Sequence, residues 1–248
     1  MKITVVTVCL NAAPSIAWTI ESVCAQDYAD REHLILDGGS TDGTLDILAR
    51  YSSERLTVLS EPDGGMYDAL NKALRLFSGE VVGALNADDT FHDSTSLSRI
   101  AAAMEDADIV HGDLDFVTDH HSKRVVRRWR TAARPASGFR SGWMPAHPTF
   151  YVRRSVAESV GAYDISLKTA ADYDWMLRAV ELHYFRVRKV EGVLVDMMQG
   201  GRSTASLRAH LRHNLEALAS RRRWLNVGSV DRAFVAKPAR KIFQLFYR

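Results

Sequence analysis

The sequence predicts an α/β protein built on a mostly parallel sheet, and two observations carry that expectation. Over the first ninety residues, short β-branched apolar runs alternate with segments whose apolar residues recur at helical spacing. Three of those strand-like runs end abruptly in polar clusters, at Asn11, Asp37–Asp42 and Asn86–Asp89. Ligands of open α/β sheets bind beyond the carboxyl ends of the strands, so the three clusters are expected to converge on one edge.

Taken in order, Ile3–Val8 is a β-branched run, and Pro14 marks the start of a helix carrying Ile16, Ile20 and Val23 on one face. His33–Leu36 is a second strand running into the tight polar turn Asp37-Gly38-Gly39-Ser40-Thr41-Asp42-Gly43. Thr44–Tyr51 reads as helix and Thr57–Leu59 as a third strand. Met66, Ala69, Leu70, Ala73, Leu74 and Phe77 then recur at helical spacing, with Gly79 as the stop. Val81–Leu85 is the fourth strand.

The remainder is less regular. Asp108–His111 continues the strand series, and Asp113–Val117 with Val125–Trp129 forms a hairpin around Asp119–Ser122. Arg134–Pro145 has the composition of a mobile loop, and Ala171–Leu182 is a helix with Tyr173, Met176, Leu177 and Val180 as its apolar stripe. Phe185–Val190 and Val193–Asp196 read as two strands. Beyond the break at Gly200-Gly201, Leu207, Leu211, Leu215 and Leu218 define an amphipathic helix.

Composition bounds the function. The 248 residues are 46% hydrophobic and 25% charged, enough for one large domain with at most a small appendage. A formal net charge of +2 gives no whole-molecule field for nucleic acid. The basic residues are uneven, concentrated in Lys123–Arg140 and the last fifty residues, which points to a local anionic partner. Arg127, Arg128, Arg130, Arg134 and Arg140 suit an acceptor diphosphate. Phe234–Arg248 mixes Lys237, Arg240, Lys241 and Arg248 with aromatics, and suits either an anionic membrane surface or packing on the domain. Met1–Leu10 has the outline of a signal peptide, but its β-branched content reads better as a buried strand. No apolar run approaches membrane-spanning length, so the expected location is cytoplasmic, with peripheral contact at the inner face of the cell membrane. Cys9 and Cys24 read as reduced, buried thiols.

Chemistry concentrates at Asp88-Asp89. Two adjacent carboxylates at the end of an apolar strand repel each other, and a divalent cation, Mn2+ or Mg2+, relieves that repulsion while holding a diphosphate. Taken alone, the pair is accounted for better by a solvated acidic turn, with Asp89 capping a helix from Thr90. The wider pattern decides. Thr7-Val8-Cys9-Leu10-Asn11, then Asp37–Thr44, then Glu61-Pro62-Asp63-Gly64-Gly65-Met66-Tyr67-Asp68-Ala69-Leu70-Asn71-Lys72, then Leu85-Asn86-Ala87-Asp88-Asp89 resemble, in order, the motifs of the family 2 glycosyltransferases. These are inverting enzymes of the GT-A fold, and the likeness is strongest to bacterial members of exopolysaccharide and lipopolysaccharide synthesis.

The resemblance implies a Rossmann-like, mostly parallel nucleotide-binding sheet, a mixed acceptor-side half and C-terminal helices. It places a GT-A domain at residues 1–205, divided into a nucleotide-sugar half at 1–90 and an acceptor half at 91–205, with a helical basic extension at 206–248. It implies that Asp88 meets the donor ribose or the metal and that Asp89 binds the metal. Thr7, Asn11, Asp37 and Asp63 would line the nucleotide side. The second aspartate of the Asp37 pair, often the base-reading residue in the family, is Gly38 here, which leaves a uridine, guanosine or other donor open. Asp172, at the start of the helix in Thr169–Arg178, matches the family's general base, with Asp174 as the second candidate. His147 in Pro145–Phe150 is read as touching acceptor or metal, or as structural. Gly200–Thr204, with Arg202, resembles a segment that closes over the diphosphate.

The implied partners are a nucleotide-diphosphate sugar and a saccharide acceptor, lipid-linked at the membrane. The chain lacks the Gln-x-x-Arg-Trp motif of processive synthases, which favours one sugar per acceptor. A sugar-phosphate nucleotidyltransferase needs a glycine-rich basic loop that Val8–Pro14 does not supply. A non-catalytic binding module, for nucleotide or nucleic acid, is disfavoured by the retained Asp88, Asp89 and Asp172.

Overall fold

The computed structural model describes residues 1–51, 53–199 and 207–228. Strand β1 (Ile3–Cys9) lies at the centre of the first half. After helix α1 (Ile16–Cys24), β2 (Arg31–Asp37) pairs with it in parallel, Ile3 opposite Arg31 and Cys9 opposite Asp37. Helix α2 (Thr44–Leu48) leads to β3 (Leu56–Ser60), parallel to β2. Helix α3 (Met66–Leu76) returns the chain to β4 (Val81–Ala84), parallel to β1 on its other side. The order β3-β2-β1-β4 therefore points four carboxyl ends at one edge.

Sequence explains these elements directly. Ile3, Val5 and Val6 are at most 2% exposed, because helices cover both faces of a parallel sheet. Val6, Leu34, Leu36 and Val82 pack against Leu70 and Ala73 of α3 and Phe77 just beyond it. On the other face, Cys9 and Ile35 meet Ile16, Ile20 and Leu48. Each fully buried aliphatic side chain of this kind contributes about 1.5–3 kcal/mol.

The second half closes the sheet with mixed strands. Short β5 (Thr90–Phe91) and helix α4 (Ser96–Met104) precede β6 (Ile109–Val117), which forms a hairpin with β7 (Val125–Trp129). Strand β8 (Tyr151–Arg153) runs antiparallel between β4 and β6 and is followed by helices α5 (Arg154–Val160) and α6 (Ala171–Glu181). Strand β9 (Val187–Met198) lies parallel to β6 and antiparallel to β5, and α7 (Leu207–Leu225) packs on α6. The sheet of nine strands has the order β3-β2-β1-β4-β8-β6-β9-β5, with β7 on β6. The close approach of β8 requires Gly83, since a Cβ there would overlap the Tyr151 ring.

Several expectations are corrected. Phe185–Val190 and Val193–Asp196 are one strand, carried through Gly192 at φ 83° with register shifts against β6. Strand β8 and helices α4 and α5 were not anticipated. Leu211 and Leu215 of the anticipated α7 stripe are exposed while its Leu218 is buried, and beside Leu218 the helix buries Ala217, Arg221 and Leu225. That face wins because Arg221 donates to the Tyr173 hydroxyl while its chain packs on α6. Cys24 is exposed; only Cys9 is buried. Among the described residues no helix is long and apolar enough to cross a membrane. Arg202, the Gly200–Thr204 segment and Phe234–Arg248 lie outside the described residues.

Asp196 on β9 joins β5 to the β6–β7 hairpin. It meets His92 Nδ1 at 2.7 Å and Lys123 Nζ at 2.9 Å. The hydrogen bond to Asp196 outweighs partial burial and raises the His92 pKa above its ordinary value. The folded state therefore holds the proton more tightly than the unfolded chain. This stabilisation is complete below the ordinary histidine pKa and is lost as pH rises through the raised value. The melting temperature is expected to fall between about pH 6 and about pH 8 more steeply in wild type than in His92→Gln. Identical slopes would remove the assignment.

Candidate active site

The turn after β2 is built by Asp37. Its carboxylate accepts from Gly39 N at 3.1 Å, Ser40 N at 3.0 Å and Ser60 Oγ at 2.7 Å, and from the Ser40 hydroxyl. Burial pushes this carboxyl up, but the hydrogen bonds, those from Ser40 foremost, outweigh it and hold the pKa below its ordinary value. Asp37 is 2% exposed and its oxygens are committed to this turn. Asn11, exposed and left-handed at φ 54°, accepts from Thr41 N at 2.9 Å through Oδ1 while its backbone N–H donates to Ser40 Oγ at 2.7 Å. The end of β1 and the turn after β2 are thus one braced unit.

Thr7 lies below that edge rather than on it. It is fully buried, and its hydroxyl donates to Leu85 O at 2.9 Å. With that proton used, the 2.9 Å contact to His33 Nε2 is a ring N–H donating to Thr7. Burial lowers the His33 pKa to about 3, which keeps the ring neutral. Cys9 beneath the same edge stays a thiol, pushed up to about 12 by burial and then by Asp37.

Asp88 and Asp89 occupy the turn beyond β4 in unlike settings. Asp89 is fully buried; Oδ2 accepts from Asn86 Nδ2 at 2.7 Å and Oδ1 from Met198 N of β9 at 3.1 Å. Burial, and then the charge of Asp88, push its pKa well above the ordinary value. Asp88 is partly exposed. Burial raises it too, opposed by backbone hydrogen bonding and by His120 at the tip of the β6–β7 hairpin. That tip is seated by His120 stacked on Trp18 of α1, ring centroids 5.4 Å apart. Neither Trp18 nor His120 was singled out from sequence, because only the fold carries the hairpin to α1.

Asp172 stands in the first turn of α6, partly exposed, where the helix dipole favours a carboxylate. Tyr67, at the start of α3, donates to Asp172 Oδ1 at 3.2 Å. Since α3 begins just beyond β3, this bond draws Asp172 to the same edge as Asp88. His147 hydrogen-bonds Tyr163 at 3.2 Å, and its pKa is lowered by burial and opposed by nearby Asp172. Asp174 is unsuited to proton transfer: it pairs with Arg178 at 2.9 Å and accepts from Trp224 Nε1 at 2.8 Å.

Helix α7 grips the approach to α6. Glu216 accepts from Thr169 N at 2.8 Å and Thr169 Oγ1 at 2.9 Å, and His213 Nδ1 meets Thr169 O at 2.8 Å. Asp63, in the loop after β3, accepts from Gly65 N at 2.7 Å. Of the five arginines expected to serve an acceptor, Arg130 pairs with Asp113 and Asp115, Arg134 with Glu181, and Arg127 stacks on Phe116.

With this geometry in view, likeness to known proteins becomes informative. The sequence model of glycosyl transferase family 2 matches residues 4–161. A PGL/p-HBAD biosynthesis glycosyltransferase of Mycobacterium bovis is 30% identical over 175 residues, 68% of this chain and 66% of that protein. The match thus spans just under two thirds of that relative's length. In fold, S. aureus TarS in complex with UDP-GlcNAc superposes with a TM-score of 0.71 at 19% identity, covering 94% of this chain and 69% of TarS. The mannosyltransferase PcManGT of Pyrobaculum calidifontis, in complex with GDP-Man and Mn2+, gives 0.67 at 21% identity, covering 94% and 66%. The fold is GT-A, and a family match across more than half of the sequence settles the membership: the chain belongs to glycosyl transferase family 2.

Proposed function

We propose that the protein is an inverting glycosyltransferase that moves one sugar from a nucleotide-diphosphate sugar to a saccharide acceptor. The carrying observation is the Tyr67–Asp172 bond, which brings a carboxylate with open surface to the edge where Asp88 lies. In this reading the acceptor hydroxyl oxygen attacks the anomeric carbon as the bond to the diphosphate breaks. Asp172 takes the hydroxyl proton, and the nucleoside diphosphate leaves with the electron pair. A single displacement inverts the anomeric centre.

The residues fit a divalent cation. Two adjacent carboxyls, Asp88 and Asp89, are both raised by burial, Asp89 further by the charge of Asp88, and each Asp89 oxygen, though occupied by one donor, keeps a second lone pair. Among the described residues no group of three or more His, Cys, Asp or Glu side chains is placed to hold a metal. Mn2+ or Mg2+ would therefore be held by Asp88, the more accessible carboxylate, and Asp89, with diphosphate and water completing the shell. When bound, it offsets charge on the departing diphosphate. Asn11 and Asp37 shape the nucleotide side, Thr7 supports it from below, and Arg202 is assigned to the diphosphate by its motif. Support for a lipid-linked acceptor, a cell-surface product and peripheral membrane association comes from the basic sequence segments and from the biosynthetic role in the relative's name.

Three outcomes test this. Asp172→Asn should lower kcat by about 10²–10⁴ with an unchanged melting temperature. Asp174→Ala, which leaves partly buried Arg178 without its ion pair and Trp224 Nε1 without its acceptor, should instead cost about 3–5 kcal/mol of stability. Wild-type turnover by the Asp172 variant would sink the base assignment. Because Asp89 has a raised pKa, the folded state keeps a proton that the unfolded chain releases above the ordinary carboxylate value. Stability without cation therefore falls as pH rises through that window. Mn2+ should raise the melting temperature more at about pH 8 than at about pH 5. Equal shifts, or a full shift in Asp88→Asn, would count against the site. Finally, Glu216→Ala should lower kcat with little change in donor KM, because it frees Thr169 ahead of Asp172. A loss confined to donor KM would contradict this.

A further inference from the structure

The loop after β3 presses against the turn after β2 at one point that the proposed chemistry has not used. Gly38 follows Asp37, and a Cβ built on it would stand 2.8 Å from Asp63 Oδ2, 3.2 Å from Asp63 Cγ and 3.3 Å from Oδ1. The space above Gly38 is therefore filled by the carboxylate of Asp63, reaching across from the neighbouring strand end. Gly38 has no positive φ, so the backbone itself does not demand glycine; only the carboxylate excludes a side chain. Asp63 Oδ1 is fixed by Gly65 N at 2.7 Å, whereas Oδ2 has no hydrogen-bond partner among the described residues. Asp63 is partly exposed. Lys72 stands behind the loop, held by Glu61 at 2.8 Å and donating to Pro62 O at 3.1 Å.

Topology gives this carboxylate a place relative to the donor. Asp88 lies beyond β4, and Gly38 lies beyond β2, two strands away, or roughly 10 Å at the usual strand spacing. A nucleotide lying along the edge with its diphosphate at Asp88 carries its base to the Gly38–Asp63 end.

We propose that Asp63, lodged over Gly38, is the residue that selects the nucleobase, and that it selects bases bearing an imino N–H: uracil, thymine or guanine. This rests on the donor-site reading above. A carboxylate only accepts hydrogen bonds. Uracil and thymine present N3–H to it, and guanine presents N1–H with an adjacent amino group. Adenine N1 and cytosine N3 are themselves acceptors, so even when their amino groups reach one oxygen, a lone pair faces the other. A buried polar group left facing the wrong partner discriminates strongly.

The test is calorimetric binding of UDP, GDP, ADP and CDP with Mn2+ to wild type, Asp63→Asn, Gly38→Asp and the exchange variant Gly38→Asp/Asp63→Gly. Circular dichroism confirms folding of each. Wild type should bind UDP or GDP at least about tenfold tighter than ADP and CDP, and Asp63→Asn should lose most of that preference. Gly38→Asp alone, which sets two carboxylates against each other, should weaken binding of the preferred nucleotide. The exchange variant, with one carboxylate restored from the other strand end, should recover it. Equal binding of all four nucleotides, a preference untouched in Asp63→Asn, or no recovery on exchange each overturns the proposal while leaving the transferase reading in place. Failure of wild type to bind any of the four overturns both.

Discussion

The buried carboxylate of Asp89 is the constraint on which the site depends. It accepts from Asn86 within its own turn and from the Met198 amide of β9, so the turn beyond β4 is fastened to the far side of the sheet. An isolated carboxylate taken out of water is costly, and the two donors offset only part of that cost, so the Asp89 carboxyl holds its proton well above the ordinary value. Because Asp89 faces inward, its neighbour Asp88 is left at the surface of the cleft. One residue supplies the anchorage and the next supplies the accessible charge. Their unlike burial follows from their adjacency in a tight turn.

A similar division recurs around Asp172. Asp174, two residues on, is spent on Arg178 and Trp224, which fix α6 against its surroundings, and Asp172 keeps open surface. Tyr67 reaches it from α3, and α7 holds Thr169 just before it. The carboxylate assigned to proton transfer is therefore positioned from two elements remote in sequence, α3 and α7. Asp37 and Thr7 are likewise committed to structure, bracing the ends of β1, β2 and β4.

The first half was legible because its signals are local. A β-branched run, a helical period and a polar strand end each need only a few residues, and β1 to β4 appeared where those signals placed them. The second half was legible only in part: the β6–β7 hairpin and α6 appeared where expected, and the elements that close the sheet did not. Strand β8 is only three residues long, and its place between β4 and β6 depends on Gly83 leaving room for the Tyr151 ring. The α7 stripe was misjudged because leucine spacing marks an apolar face, whereas the buried face was chosen by Arg221 and its tyrosine partner. Among site residues, Asp88 and Asp172 could be named from motif order and helix position. The unlike burial of Asp88 and Asp89, the commitment of Thr7, and the roles of Tyr67 and Glu216 arise from contacts spanning much of the chain, which no window of sequence contains.

Those spans have a consequence for how the protein comes to exist. The Asp89–Met198 bond joins positions 109 residues apart, and the Tyr67–Asp172 bond joins positions 105 apart. The β1–β2 pairing closes over fewer than thirty residues. Contacts that close long loops are slow to form relative to local ones. On a ribosome, the parallel sheet around β1 can assemble while the chain is still growing, and Thr19 of α1 can already hold the Asp89 carbonyl, but the Asp89 carboxylate lacks its Met198 partner until β9 has emerged. For much of its synthesis the polypeptide carries a nearly finished parallel sheet whose buried acid waits for its second donor, and the fastening of the cleft edge to the far strands is among the last features to set.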